Sequence, residues 1–167
     1  MKSKRKLDEL NSLGDGTLEY SSRLAEISLK YKTEIPTDDM PKVSNPREAV
    51  EVLRSIWDQD TIQLKEEFYV LLLNNAKRCL GWSKVSSGGG SATVVDPATV
   101  FQVALLTNAC SVILAHNHPS GNLNASKADI NLTQRIIDVG KLLGINVEDH
   151  IILTDSSYCS FKGKGKI

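Results

Sequence analysis

From Asn45 onward the chain alternates between stretches with a helical apolar period and stretches that are apolar at consecutive positions. Asn45 can cap a helix with Pro46 at its first position, and Ala49, Val50, Leu53, Ile56 and Trp57 then fall on one helical face. FYVLLLN (68–74) is apolar on both alternating faces, which predicts a strand covered on both sides. CLGWSKV (79–85) predicts a second strand, SVILA (111–115) a short buried one, HIILT (150–154) another, and YCSF (158–161) an edge strand. DPATVFQVALLT (96–107) predicts a helix that starts at Asp96 with Pro97 just inside it. ASKADINLTQRIIDVGKLLGI (125–145) predicts a long helix with Ile130, Ile136, Ile137, Leu142 and Leu143 inward. SSGGGSATVV (86–95) breaks regular structure; it lacks the lysine and helix start of a phosphate loop, so Gly88–Gly90 are expected to form a flexible lip. Strands alternating with helices predict an α/β domain built on one mixed sheet between helices.

Residues 1–44 read differently. They are polar, contain DGT, and lead out through PTDDMPKVSNP. One segment, LEYSSRLAEISLKY (18–31), fits a strand or a short helix. There is too little here to bury a core, so the expected organisation is an arm over 1–44 and a domain over 45–167. The arm is expected to pack on the body or on a neighbouring copy, and the second alternative would give a homo-oligomer.

Composition narrows the function classes. Lys+Arg and Asp+Glu are 20 each among 167 residues, so the chain lacks the basic surplus usual in nucleic-acid binders. No apolar run follows the basic opening MKSKRKLDEL, which predicts neither a secretory signal nor a membrane span. Cys79, Cys110 and Cys159 show no CxxC spacing and are expected to be reduced thiols in the cytoplasm, each a small core residue. Trp57 and Trp82 are expected to serve packing.

The stretch AHNHPSGNLNASKAD (115–129) carries the chemistry. It leaves a buried strand, crosses a turn and enters a helix at Ser126. Residues i and i+2 of an extended segment point to one side, so His116 and His118 can aim both imidazoles at one point. Pro119 and Gly121 turn the chain back, and Asp129, one turn into the helix, can bring a carboxylate to the same place. Two imidazoles and a carboxylate make a three-ligand zinc site with the fourth position open, as in hydrolytic centres. Ser126 and Asp129 also read as S-x-x-D, a helix capping box, and two loop histidines can simply bond to carbonyls. Capping explains neither histidine, so the joint pattern favours the metal. Asn117, between the histidines, should point away from the metal and fix the turn. His150, ahead of an apolar run, reads as a hydrogen-bonded structural histidine.

HNHPSGNLNASKAD resembles the JAMM signature, HxHPx6SxxD, of JAB/MPN metallopeptidases. The wider match is to the RadC group: EEFYVLLLN, ILAHNHPSG, the T-x-R run in the long helix, and DHIIL with YCSF. It extends from about Asn45 to the end of the sequence. The resemblance implies a JAB/MPN-type mixed sheet flanked by helices. It implies that zinc is held by His116, His118 and Asp129, and that Ser126 steadies the carbonyl oxygen. An upstream glutamate should move the proton. Periodicity does not choose between Glu66 and Glu67, because both alternating faces of the strand are apolar; the family's E-x-F pattern selects Glu66. The chain departs from the group in carrying Ala98 where an arginine is common, and it shows a short polar arm where many relatives have a DNA-contacting module.

The function expected is a zinc-dependent hydrolase that cleaves an amide, peptide or isopeptide bond of a peptide or protein substrate. The alternative is a non-catalytic zinc-containing module acting through DNA or a DNA-repair partner, and a nuclease on the same centre is a third reading.

Overall fold

The computed structural model describes Ala25, Ser28 and residues 31–88 and 95–167. The segment 18–31 that reads as strand or helix, all but its last residue and those two, and the Gly89–Gly90 part of the expected lip lie outside the described residues. Tyr31–Ile167 form one compact unit.

Its centre is a five-stranded sheet of β1 (Glu67–Leu73), β2 (Cys79–Ser87), β3 (Ser111–Asn117), β4 (Asn146–Leu153) and β5 (Tyr158–Ser160), in the order β2-β1-β3-β4-β5. β3 and β4 are parallel, and the other neighbours are antiparallel. The sheet is mixed for a local reason: β3 reaches β4 only through a long helical crossover, whereas β1–β2 and β4–β5 are joined by short turns. α1 (Pro46–Ile56), α2 (Pro97–Leu106) and α3 (Lys127–Leu143) cover it. Each begins as its sequence dictates, with the side chains of Asn45, Asp96 and Ser126 accepting from backbone N–H groups of the first turn.

The three central strands are buried along nearly their whole length because both faces are covered. Tyr69, Leu71, Leu73, Ile113, Ala115, Ile151 and Leu153 pack with Ala49, Leu53 and Trp57 on the α1 side. Phe68, Val70, Leu72, Val112 and Leu114 pack with Val100, Phe101, Ala104 and Ile136 on the other. The end of the arm joins this body. Met40 and Val43 are buried, Val43 N–H donates to Lys77 O at 2.8 Å, and Cys79 N–H donates to Pro41 O at 2.8 Å.

Two readings of burial need correction. On α3, Ile136 is buried as expected, but Ile130, Leu142 and Leu143 are exposed; the inward stripe is Thr133, Ile136 and Gly140. Threonine and glycine do not register as apolar, so an apolar period along this segment selects residues such as Ile130 and Leu142 that lie off the contact face. Leu142 lies two residues beyond Gly140, about 200° round the helix from the contact face. Among the cysteines only Cys79 is buried; Cys110 is exposed between α2 and β3, and Cys159 is half-buried on edge strand β5. Trp57 is buried against Tyr69, whereas Trp82 stacks on Tyr69 from an exposed position. No described helix is long and apolar enough to cross a membrane.

Candidate metal centre

β3 runs two residues beyond its apolar run, through His116 and Asn117. Phe68 of β1 lies opposite His116 in the antiparallel register, and opposed residues share a face. His116 therefore sits on the α3 side, with its ring parallel to that of Phe68 at 6.2 Å. His118 follows the strand, its N–H donating to Leu153 O of β4 at 2.9 Å. The chain then turns: Gly121 N–H donates to His118 O at 3.0 Å, and Gly121 takes a positive φ of 76°, which favours glycine. This turn brings Asn122 O to 2.5 Å from Nδ1 of His118. A carbonyl can only accept, so His118 carries a proton on Nδ1, and the neutral ring then has its lone pair on Nε2.

α3 opens with a complete capping box. Ser126 Oγ accepts from Asp129 N–H at 3.1 Å, and Asp129 Oδ2 accepts from Ser126 N–H at 2.6 Å. The cap occupies one carboxylate oxygen and fixes the side chain. Asp129 Oδ1 lies 3.5 Å from His116 Nε2, Asp129 Oδ2 lies 3.8 Å from His118 Nε2, and the two Nε2 atoms are 3.0 Å apart. Among the described residues these three form the one group of metal-capable side chains whose donor atoms all lie within 4.8 Å of one another.

The donor set fits zinc. Zn–N and Zn–O bonds of about 2.0–2.1 Å in a tetrahedron require ligand atoms about 3.3–3.4 Å apart. The 3.0 Å between the two Nε2 atoms and the 3.5 Å from His116 Nε2 to Asp129 Oδ1 straddle that edge, and one donor atom from each of the three residues lies within 4.8 Å of the others. His116 is buried, whereas His118 and Asp129 are partly open at 15% and 14% exposure, so the group is reachable from one side. Burial, opposed by Asp129 and reinforced by His118, holds the His116 imidazole down to about 4. At neutral pH it is thus an uncharged donor.

A cleft of about 300 Å³ opens over His118 and is lined by Leu64, Glu66, Ser120, Asn124 and Ser126. Glu66 precedes β1 by one residue and shares the face of Phe68 and hence of His116. Burial raises its carboxyl above the usual range, with His118 opposing and Asp129 adding to the rise. Glu67 faces the other way. It is fully buried, accepting from Lys84 at 2.8 Å, Lys65 at 3.1 Å, Ser87 at 3.3 Å and Thr61 at 3.2 Å. Burial alone would raise this carboxyl, but the hydrogen bonds from Lys84, Lys65 and Thr61 outweigh it and hold it below the ordinary value.

Two residues carry more than their sequence suggested. Asn117 points away from the histidines as expected, but it grips the loop before β1 and not the turn after β3. Its Oδ1 accepts from Glu67 N–H at 2.7 Å, and its Nδ2 donates to Ile62 O and Lys65 O at 2.7 and 2.8 Å. That loop ends in Glu66. His150 is a fully buried hydrogen-bonded histidine in the middle of β4, and its partners are Thr133 and His116. Sequence gave no partner for it, because the contact is between neighbours in the sheet and a helix laid across them.

The sequence profile described as a RadC-like JAB domain matches residues 43–166. A UPF0758 protein of Methanosarcina mazei is 34% identical over 160 residues, covering 96% of this chain and 68% of the relative. One from Flavobacterium johnsoniae is 36% identical over 126 residues, covering 75% and 54%. One from Desulforamulus reducens is 45% identical over 103 residues, covering 62% and 45%. The chain thus spans about two thirds of the first of these relatives and about half of the other two.

Proposed function

The chain belongs to the RadC-like JAB domain family, and from that premise we propose that it is a zinc-dependent hydrolase acting on an amide, peptide or isopeptide bond. The observation that supports this most is the convergence of His116, His118 and Asp129 beside a cleft that also holds Glu66. On this reading residues 45–167 carry the chemistry and residues 1–44 form an accessory arm.

His116 Nε2, His118 Nε2 and Asp129 Oδ1 would hold the ion. Zinc, when bound, polarises a carbonyl and acidifies water. Glu66 would take the proton of the attacking water and pass it to the departing nitrogen; a carboxyl raised by burial is suited to releasing as well as accepting it. Ser126 Oγ accepts Asp129 N–H, which leaves its own hydrogen free to point into the cleft. There it would donate to the carbonyl oxygen as negative charge develops.

Metal analysis of the wild-type protein beside His118→Ala tests the centre: about one zinc per chain, lost in the variant, is expected, and equal metal in both refutes it. Cleavage of a peptide library, abolished by chelation and cut by about 10²–10⁴ in Glu66→Gln with zinc retained, tests the chemistry. DNA binding with a steep salt dependence and no peptide cleavage would assign the domain to a nucleic-acid role instead.

A further inference from the structure

Thr133, His150 and His116 form a hydrogen-bonded chain whose proton positions can be worked out from one end. The Thr133 hydroxyl has a single hydrogen. It lies 2.6 Å from the backbone carbonyl of Asp129, which can only accept, so the hydrogen is there. Thr133 Oγ1 is also 2.6 Å from His150 Nδ1. Having given its hydrogen to the carbonyl, the hydroxyl can only accept, and His150 Nδ1 must carry a proton. His150 has no exposed surface, and its two ring nitrogens meet a hydroxyl and an imidazole, neither of which answers a charge, so the ring carries its one proton on Nδ1 and its Nε2 is bare. That bare nitrogen lies 2.8 Å from His116 Nδ1, which must therefore hold the His116 proton. His116 Nε2 is left with its lone pair facing His118 Nε2 at 3.0 Å.

We infer that Thr133 and His150 are positioning residues that fix His116 in the Nδ1–H tautomer, so that its Nε2 lone pair is presented to the metal site. The lock starts from the carbonyl of Asp129, so the residue that supplies the carboxylate also sets, through three hydrogen bonds, which nitrogen of His116 is available. His118 is set separately by Asn122 O. Both imidazoles then present lone pairs beside a carboxylate, an arrangement complementary to a cation. Without the Thr133 hydroxyl, His150 is free to adopt the Nε2–H form. It would then donate to His116 Nδ1 and drive the His116 proton onto Nε2, where it blocks a metal bond. Thr133 of the T-x-R run and His150 of the DH pair, which do not line the cleft, acquire a role on this account. The purpose of the lock rests on the metal-centre reading, but its proton arrangement does not.

The test uses the full chain with Thr133→Val and Thr133→Ser. Imidazole ¹⁵N spectra of metal-free protein report which ring nitrogens are protonated. The wild type should show His116 and His150 as Nδ1–H; His116 as Nε2–H would overturn the lock. Zinc affinity, measured by competition with a chelating dye, should fall about 10–100-fold in Thr133→Val, the range seen when a partner of a metal-bound histidine is lost. Thr133→Ser keeps the hydroxyl and should restore both spectrum and affinity, which separates the lock from a packing defect. Wild-type zinc affinity in Thr133→Val, with His116 still Nδ1–H, would refute the inference. If the wild type takes up no zinc, the metal reading fails and the tautomer spectra alone decide the lock.

Discussion

Replacing Asn117 by alanine tests whether the strand that carries the histidines also holds the loop that carries Glu66. The substitution removes one acceptor and two donors at once: Glu67 N–H, Ile62 O and Lys65 O lose the amide that bonds them at 2.7–2.8 Å. Glu67 and Ile62 are buried, and a buried polar group deprived of its partner costs about 1–3 kcal/mol. Lys65 is half-buried, and its carbonyl can recover part of the loss from water. The sum is about 3–5 kcal/mol, a large share of the 5–15 kcal/mol typical of a domain. If about 3 kcal/mol of it falls on local opening of the loop, the open population rises about 100-fold. Trypsin cleavage after Lys65 under native conditions follows that population when opening is fast, and urea unfolding gives the global loss. Asn117→Asp sharpens the test: it keeps an acceptor for Glu67 N–H but sets a carboxylate against two carbonyls, so it should be as damaging as alanine. Zinc content should survive in both, since His116, His118 and Asp129 come from β3, its turn and α3. An Asn117→Ala protein with a wild-type urea midpoint and no faster cleavage after Lys65 would refute the clamp.

Capping and metal binding should separate in a second pair of variants. Asp129→Asn keeps an oxygen for Ser126 N–H, so helix stability should change by less than about 1 kcal/mol while zinc is lost; Ser126→Ala should cost about 1 kcal/mol and keep zinc, with turnover down by about 10². Calorimetry and metal analysis on both proteins check this. Glu67→Gln should destabilise by about 2 kcal/mol at pH 7, because it removes the charge that Lys65 and Lys84 answer. The folded carboxyl is depressed, so its contribution is present above the unfolded value near 4.5 and is lost as pH falls below it. The gap between variant and wild-type urea midpoints should therefore be full above about pH 5 and narrow progressively as pH falls below about 4.5. Gly140→Ala should destabilise by more than about 1 kcal/mol, despite the usual gain of alanine over glycine in a helix. The new Cβ would meet Ile145 O at 2.4 Å and Phe101 Cζ at 3.3 Å, and a backbone carbonyl cannot step aside as a side chain can. A higher melting temperature in this variant would contradict the packing described.

The helix starts were legible because capping is local. Asn45–Pro46, Asp96–Pro97 and Ser126 each announce themselves within four residues, and each caps as read. The strand cores were legible for the same reason: a run apolar at every position has to be covered on both faces. What failed was the inward stripe of α3. Its contact with the sheet is made through a threonine that hydrogen-bonds and a glycine that allows close approach, and neither adds to an apolar period. A helix can be pressed against a sheet by what it lacks in bulk, and hydrophobic counting does not detect this.

The choice between Glu66 and Glu67 shows where sequence reasoning stopped and why. Alternation along β1 assigns the two carboxylates to opposite faces, but both faces are apolar, so the pattern alone cannot say which one meets the histidines. The missing fact is the register with β3. Phe68 lies opposite His116, which puts Glu66 on the histidine side and Glu67 on the side of Asn117. The two readings of S-x-x-D do not exclude one another. A carboxylate has two oxygens; Asp129 spends Oδ2 on Ser126 N–H, and Oδ1 stands 3.5 Å from His116 Nε2. The cap would thereby hold the carboxylate still for the proposed metal. A residue that satisfies a structural pattern is for that reason already positioned, and a structural explanation of Asp129 is no argument against a chemical one.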